Sequence, residues 1–340
     1  MKIHFKHIVS VGILITVAFT ANKTSPLYFK VPKGWPKAHY DFSKNPLTEE
    51  GFQLGRKLFY DPILSRDSTI SCTSCHLQAT GFTHVDHSLS HGIDGKVGNR
   101  NSMTLMNLAW SKSFMWDGGV NHLDVQPLNP ITSPVEMDET LENVVSKLQK
   151  TENYPILFEK AFGSSKITGQ RLLKAISQFE LQLVSSNSKY DKVMRKETEF
   201  TEQEQNGYQL FKTNCASCHT EPLFTNGKFE NNGLEIDTTL NDLGRIKMTH
   251  QNEDSLRFKV PTLRNIQFTF PYMHDGRFKT LTEVVKHYNS IRSNTILPKQ
   301  LSKPMHLSEH DRVDLVAFLK TLTDQEFLFN PRFSYPRENN

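Results

Sequence analysis

All four cysteines of this chain stand in two copies of one pentapeptide, Cys72-Thr73-Ser74-Cys75-His76 and Cys215-Ala216-Ser217-Cys218-His219. Two thiols at that spacing can form thioethers with the vinyl groups of a porphyrin, and a histidine directly after the second reaches the iron. Thioredoxin-type redox pairs and zinc sites also use Cys-x-x-Cys. A redox pair has no need of the histidine, however, and a zinc site needs more thiols or a matched histidine pair. The implied chemistry is covalent binding of two haems c. Cys72, Cys75, Cys215 and Cys218 are the attachment residues, and His76 and His219 are the proximal ligands.

The elements that must position these groups read as a duplication. Thr48-Glu49-Glu50 opens a segment with Gly55-x-x-Leu58-Phe59 ahead of Cys72, and Thr201-Glu202-Gln203-Glu204 opens one with Gly207-x-x-Leu210-Phe211 ahead of Cys215. Thr201 and Glu204 form a capping box, so a helix starts there and leads to the haem motif. In the first half, residues 60–71 are inserted between helix and motif. Helical patterns also cover 139–149, 171–184 and 309–322, while the Pro- and Gly-rich stretches 92–98 and 127–134 read as ordered loops. The expected fold is mainly α: two class I cytochrome c-like domains, each with one covalently bound haem, joined by short irregular or β segments.

Lys2 and Lys6 precede an apolar run over 8–19, followed by Ala21. The run is shorter than the roughly twenty apolar residues of a membrane span, so 1–21 reads as an export signal, with an uncleaved anchor as the alternative. Export to the periplasm fits the compartment where such haems are attached, and attachment consumes thiols that would otherwise enter disulfides. The mature chain of this 340-residue protein divides into a haem domain over 22–190 and a second over 191–340, with a junction near 185–201. A net charge of +4, with 22% charged residues and no long basic run, offers no nucleic-acid groove.

Further blocks carry a family resemblance across nearly the whole mature chain. They are Leu64-Ser65-Arg66-Asp67, Gly98-Asn99-Arg100-Asn101-Ser102, Trp116-Asp117-Gly118, Pro134-Val135-Glu136-Met137, Phe258-Lys259-Val260-Pro261-Thr262-Leu263-Arg264-Asn265 and Pro271-Tyr272-Met273-His274-Asp275-Gly276. With these the chain resembles the bacterial dihaem cytochrome c peroxidases and their MauG relatives. The resemblance implies a peroxidatic N-terminal haem and a C-terminal haem that relays electrons. It assigns Glu136 as the acid–base that moves a proton between peroxide oxygens, Gln126 as a second polar residue of that pocket, and Trp116 as the relay between haems. The plainer alternatives are that Glu136 caps a helix starting near Asp138 and that Trp116 only packs.

The same resemblance implies the distal ligands. His91 matches the histidine on the resting peroxidatic iron of many members, with His84 and His87 nearby. For the second iron, the position that holds methionine in the peroxidases is Tyr288, as in MauG, and Pro130 also matches a MauG pocket proline. A tyrosinate lowers the haem potential, whereas methionine raises it. Thr213 departs from MauG, which has there the tryptophan used to oxidise its protein substrate. Met248, Met273 and His287 remain alternative ligands, and Tyr288 as an ordinary helix-face aromatic stays open. A calcium ion between the domains would be held by Asn101, Thr269 and Pro271.

Three functions follow from these readings. The first is an exported peroxidase reducing hydrogen peroxide to water with electrons from a small c-type cytochrome or cupredoxin. The second is a MauG-like enzyme oxidising residues of a partner protein through high-valent haem. The third is a non-enzymatic electron carrier with both irons fully ligated. Glu136 and Gln126 favour the enzymes, since a carrier needs no acid–base at an open iron. A homodimer is compatible with the sequence.

Overall fold

The computed structural model describes residues 24–291, 297–302 and 305–336. The export signal expected at 1–21 lies outside the described residues. The chain is mainly helical, with α1 Glu49–Tyr60, α2 Leu128–Thr132, α3 Leu141–Gln149, α4 Asn153–Phe162, α5 Gly169–Leu181 and α6 Lys189–Met194 in the first half. The second half holds α7 Glu202–Asn214, α8 Ile246–Thr249, α9 Leu281–Ser290, α10 Glu309–Lys320 and α11 Gln325–Leu328. Two two-residue strands, β1 Phe229–Glu230 and β2 Phe258–Lys259, pair antiparallel, with Phe229 opposite Lys259. Among the described residues no helix is long and apolar enough to cross a membrane.

The duplication is a packing motif. In the first unit α1 crosses α5, and in the second α7 crosses α10. Each crossing is made over a glycine. A Cβ on Gly55 would lie 1.8 Å from the Ala175 carbonyl oxygen, and one on Gly207 would lie 2.0 Å from that of Asp314. One turn on, Phe179 and Phe318 close the two crossings and are fully buried, as are Leu58, Phe59 and Phe211. The shared Gly-x-x-Leu-Phe is therefore a close helix approach followed by core residues, repeated once per haem unit.

Caps set the helix ends. The Thr48 hydroxyl accepts from the Gly51 N–H to start α1, and the Thr201–Glu204 capping box starts α7 as expected. Helix α3 begins at Leu141, not at 139, because Thr140 caps it by accepting from the Asn143 N–H. Helix α5 runs from Gly169 to Leu181 rather than over 171–184, with Thr168 as its cap. The stretch 127–134 is not all loop: it winds into α2, where Pro130 sits in the first turn and needs no N–H. The junction near 185–201 holds α6, started by a Ser188–Asp191 capping box.

Arg264, fully buried, forks onto Asp191 of α6 at 2.7 and 2.8 Å. Burial pushes the Asp191 carboxyl up, but the Arg264 guanidinium outweighs it and holds the group below its ordinary range. The chain then returns to its start. Phe327, Leu328 and Phe333 pack with Phe52, Phe59, Phe82 and Phe179 of the first unit, and Arg332 pairs with Glu49 at 2.6 Å.

Candidate active site

Both pentapeptides fold into the same turn. The His76 N–H donates to the Cys72 carbonyl at 2.9 Å, and the His219 N–H to that of Cys215 at 2.9 Å. Helix α7 runs straight into the second turn, with Cys215 as its C-cap, whereas α1 reaches the first only through a 3-10 turn over Pro62–Leu64. Each imidazole is held from behind. His76 Nδ1 bonds the Phe82 carbonyl at 2.8 Å, and His219 Nδ1 bonds those of Phe224 and Pro261 at 3.1 Å each. These bonds place the proton on Nδ1 and leave Nε2 as the lone-pair donor an iron requires.

Burial lowers the pKa of both histidines, which favours the neutral ring. It raises those of the cysteines, Cys215 to about 12, so the sulfurs are thiols, the species that adds to a vinyl group. None of the four cysteines is in a disulfide. Among the described residues no three His, Cys, Asp or Glu side chains converge as a metal cluster. The donor set fits haem c.

Around His219 opens a cavity of about 380 Å³, lined by Cys215, Cys218, Leu263, Val285 and Leu315 among others, with Tyr288 and Met273 in its wall. Helix α9 carries Tyr288 and starts from a Thr280–Glu283 capping box. Burial raises the Tyr288 pKa, the Asn232 side chain opposes that by hydrogen bonding, and the Cys215 and Cys218 sulfurs raise it further. Its hydroxyl thus sits among the groups that would ring a haem. Met273 Sδ accepts from the Asn232 amide at 3.3 Å. Two of the alternatives lie off the cavity: Met248 is half exposed on α8, and His287 Nε2 is bonded to the Asn232 carbonyl at 2.9 Å. Met305, not anticipated from sequence, also lines the cavity. Thr213 is exposed on α7 and returns its hydroxyl to the Gln209 carbonyl.

At the first centre three segments meet. The Cys75 thiol donates to the His91 carbonyl at 3.3 Å. The next residue, Gly92, is pressed against the 133–138 loop so closely that a Cβ would stand 2.4 Å from Glu136 Cα. The Ile93 N–H donates to the Glu136 carbonyl at 2.8 Å. Glu136 therefore lies near Cys75, and its carboxylate bonds no side chain among the described residues; burial alone raises its pKa. It caps no helix, since α3 begins beyond it under Thr140. Among the described residues Gln126 Nε2 reaches only Met115 Sδ, at 3.9 Å, so its amide is nearly uncommitted. Pro130 lies in α2, its carbonyl accepting from the Met137 N–H. His84 stacks on His87 with ring centroids 5.1 Å apart, and His91 lies tilted against His87 at 4.2 Å.

Trp116 sits where the units join. Its Nε1 donates to the Asn101 carbonyl at 2.8 Å, and its own carbonyl accepts from the Lys259 N–H at 2.7 Å. The neighbouring Asp117 takes Arg100 at 2.6 Å, and Arg100 also forks onto buried Asp242 at 2.6 and 3.0 Å. Trp116 lines the cavity, as do Asn101, Thr269 and Pro271. The Asn101 amide nitrogen donates to the Ser88 carbonyl at 2.9 Å. An amide oxygen with backbone carbonyls is a hard, neutral set that suits calcium.

Comparison with known proteins agrees with this architecture. Residues 49–199 match the family described as di-haem cytochrome c peroxidase, and residues 204–323 match cytochrome c. The methylamine utilization protein MauG of Methylorubrum extorquens is 38% identical over 82% of this chain and 79% of its own. The cytochrome c551 peroxidase of Nitrosomonas europaea is 35% identical over 84% of this chain and 82% of its own. The crystal structure of a MauG-like protein associated with microbial copper homeostasis superposes with a TM-score of 0.83, at 32% identity, covering 91% of this chain and 99% of that one. The chain belongs to the dihaem cytochrome c peroxidase family, oxidoreductases that carry haem c and reduce hydrogen peroxide with electrons from a donor.

Proposed function

We propose that Glu136 is the acid–base residue for peroxide reduction at the first centre. The observation that carries this is a half-buried carboxylate beside Cys75 that bonds no other side chain among the described residues. Haem, when bound, would supply the iron and the electrons that O–O cleavage requires. Glu136 takes the proton from the near peroxide oxygen and returns it to the far one, which leaves as water. The Gln126 amide orients the peroxide. Trp116, clamped at both ends, carries an electron between the units, and His91 would be the residue that holds the resting first iron. Asn101, Thr269 and Pro271 hold a calcium that fixes this junction. The electrons arrive at the second unit from a small c-type cytochrome or cupredoxin in the periplasm. The functional division is 22–190 and 191–340, and the protein acts as a monomer or homodimer.

Glu136→Gln tests the reading, because an amide cannot shuttle the proton. Peroxide turnover should fall by about 10²–10⁴-fold with two haems still bound. Unchanged turnover would remove Glu136 from the mechanism.

A second reading, oxidation of residues of a partner protein, draws support from Tyr288 in the cavity wall, the MauG residue at that position. Thr213 weighs against the MauG route through a tryptophan at its position. EPR of the ferric protein separates these readings from a carrier: two low-spin irons that never open would sink both enzymatic readings.

A further inference from the structure

Lys259 on β2 is 9% exposed and lines the cavity around His219, next to Trp116. Its ammonium donates to the Ser113 carbonyl and lies 5.6 Å from the centre of the Phe114 ring. Among the described residues no carboxylate pairs with it, unlike the buried Arg264 and the half-buried Arg100, each of which forks onto an aspartate. An ammonium held away from water by a neutral carbonyl and a ring is undercompensated. Burial accordingly pushes its pKa down to about 8. Lys112, in the same cavity wall, is exposed and needs no partner.

Haem c carries two propionate carboxylates, and this cavity is where that group binds if His219 is its ligand. We propose that Lys259 is a positioning residue for the C-terminal haem, pairing its ammonium with one propionate and setting the charge that iron feels. The pair forms only on haem binding, which explains a buried cation whose contacts among the described residues are all neutral. The backbone N–H of Lys259 also holds the Trp116 carbonyl, so the same residue would tie the cofactor to the junction between the units.

The proposal rests on haem binding at His219, so haem stoichiometry is measured first on the full-length holoprotein. A chain without haem on Cys215 and Cys218 overturns both statements. With two haems bound, Lys259→Met should lower the potential of the His219 haem, because a positive charge favouring ferrous iron is gone, and leave the other haem in place. It should also shift the propionate bending band in resonance Raman spectra. Lys259→Arg should preserve both. If Lys259→Met does not accumulate, Lys259→Gln keeps a hydrogen bond to Ser113 and carries the same two expectations. A purely structural lysine predicts an unmoved potential and band in the uncharged variant, and that result overturns the assignment.

Discussion

Substituting alanine for Gly207 sets two opposing effects against each other. In an exposed helix interior the change would stabilise by about 0.5–1 kcal/mol, because glycine loses more backbone entropy on folding. Here the new Cβ would stand 2.0 Å from the Asp314 carbonyl oxygen, 2.6 Å from its carbon and 2.8 Å from Phe318 Cβ. Two of those atoms are backbone and cannot rotate away. To reach the 3.4 Å of ordinary contact, α7 and α10 must part by more than an ångström. That loosens Phe211, Phe224 and Phe318, all fully buried. Overpacking of this kind typically costs about 1–3 kcal/mol, so the clash wins and Gly207→Ala is destabilising.

Gly55→Ala meets the Ala175 carbonyl at 1.8 Å and should destabilise comparably. The consequences for haem differ. Cys215 is the C-cap of α7, so a displaced α7 drags an attachment thiol away from a turn whose histidine is held by Phe224 and Pro261. Cys72 is buffered from α1 by residues 61–71. Gly207→Ala should therefore lose covalent haem from its own half, while Gly55→Ala should melt earlier with both haems attached. Far-UV thermal melts and pyridine haemochrome assays report the two effects. A Gly207→Ala protein that melts at or above the wild-type temperature would refute the close-approach reasoning, since that is what helix propensity alone requires.

Pyridine haemochrome on the wild-type chain should give two haems c, and one or none would contradict the paired attachment turns. Tyr288→Met should raise the potential of the second haem, because a neutral thioether favours ferrous iron over a phenolate; superimposable redox titrations would return the ligand to Met273 or Met305. Burial raises the Glu136 pKa, so the folded chain binds that proton more tightly than the unfolded one. Stability from this group is full below the unfolded pKa and is lost as pH rises through the folded one. Glu136→Gln should accordingly melt higher than wild type at neutral pH and converge with it in acid, a gain that thermal melts across pH would detect alongside the loss of turnover.

Much of the fold is legible because its signals are local. A threonine three residues before a glutamate starts α7, and the same arrangement, Thr280 with Glu283, starts α9, where it marks the element carrying Tyr288. The Gly-x-x-Leu-Phe repeat could be read as a duplication, yet its meaning could not. That a glycine is needed follows from Ala175 and Asp314, each more than a hundred residues downstream. The same holds for the tail: nothing near Phe327 or Phe333 in the sequence says that they pack beside Phe59.

The site divides along the same line. Cys-x-x-Cys-His is readable because its thiols and histidine act on one cofactor from one turn, and the backbone bonds of that turn are within the motif. The choice among Tyr288, Met273, Met248 and His287 required distant partners: Asn232 occupies His287 through its carbonyl and touches Met273 through its amide. Lys259 and Met305 were silent for a further reason. Their task, on this reading, is set by the cofactor rather than by another residue, so no spacing in the chain encodes it. A lysine next to Phe258 looks like surface solvation until it is found buried with no carboxylate partner among the described residues. In a protein whose core is partly porphyrin, the informative residues are those whose polar atoms stay unmatched until the cofactor is counted.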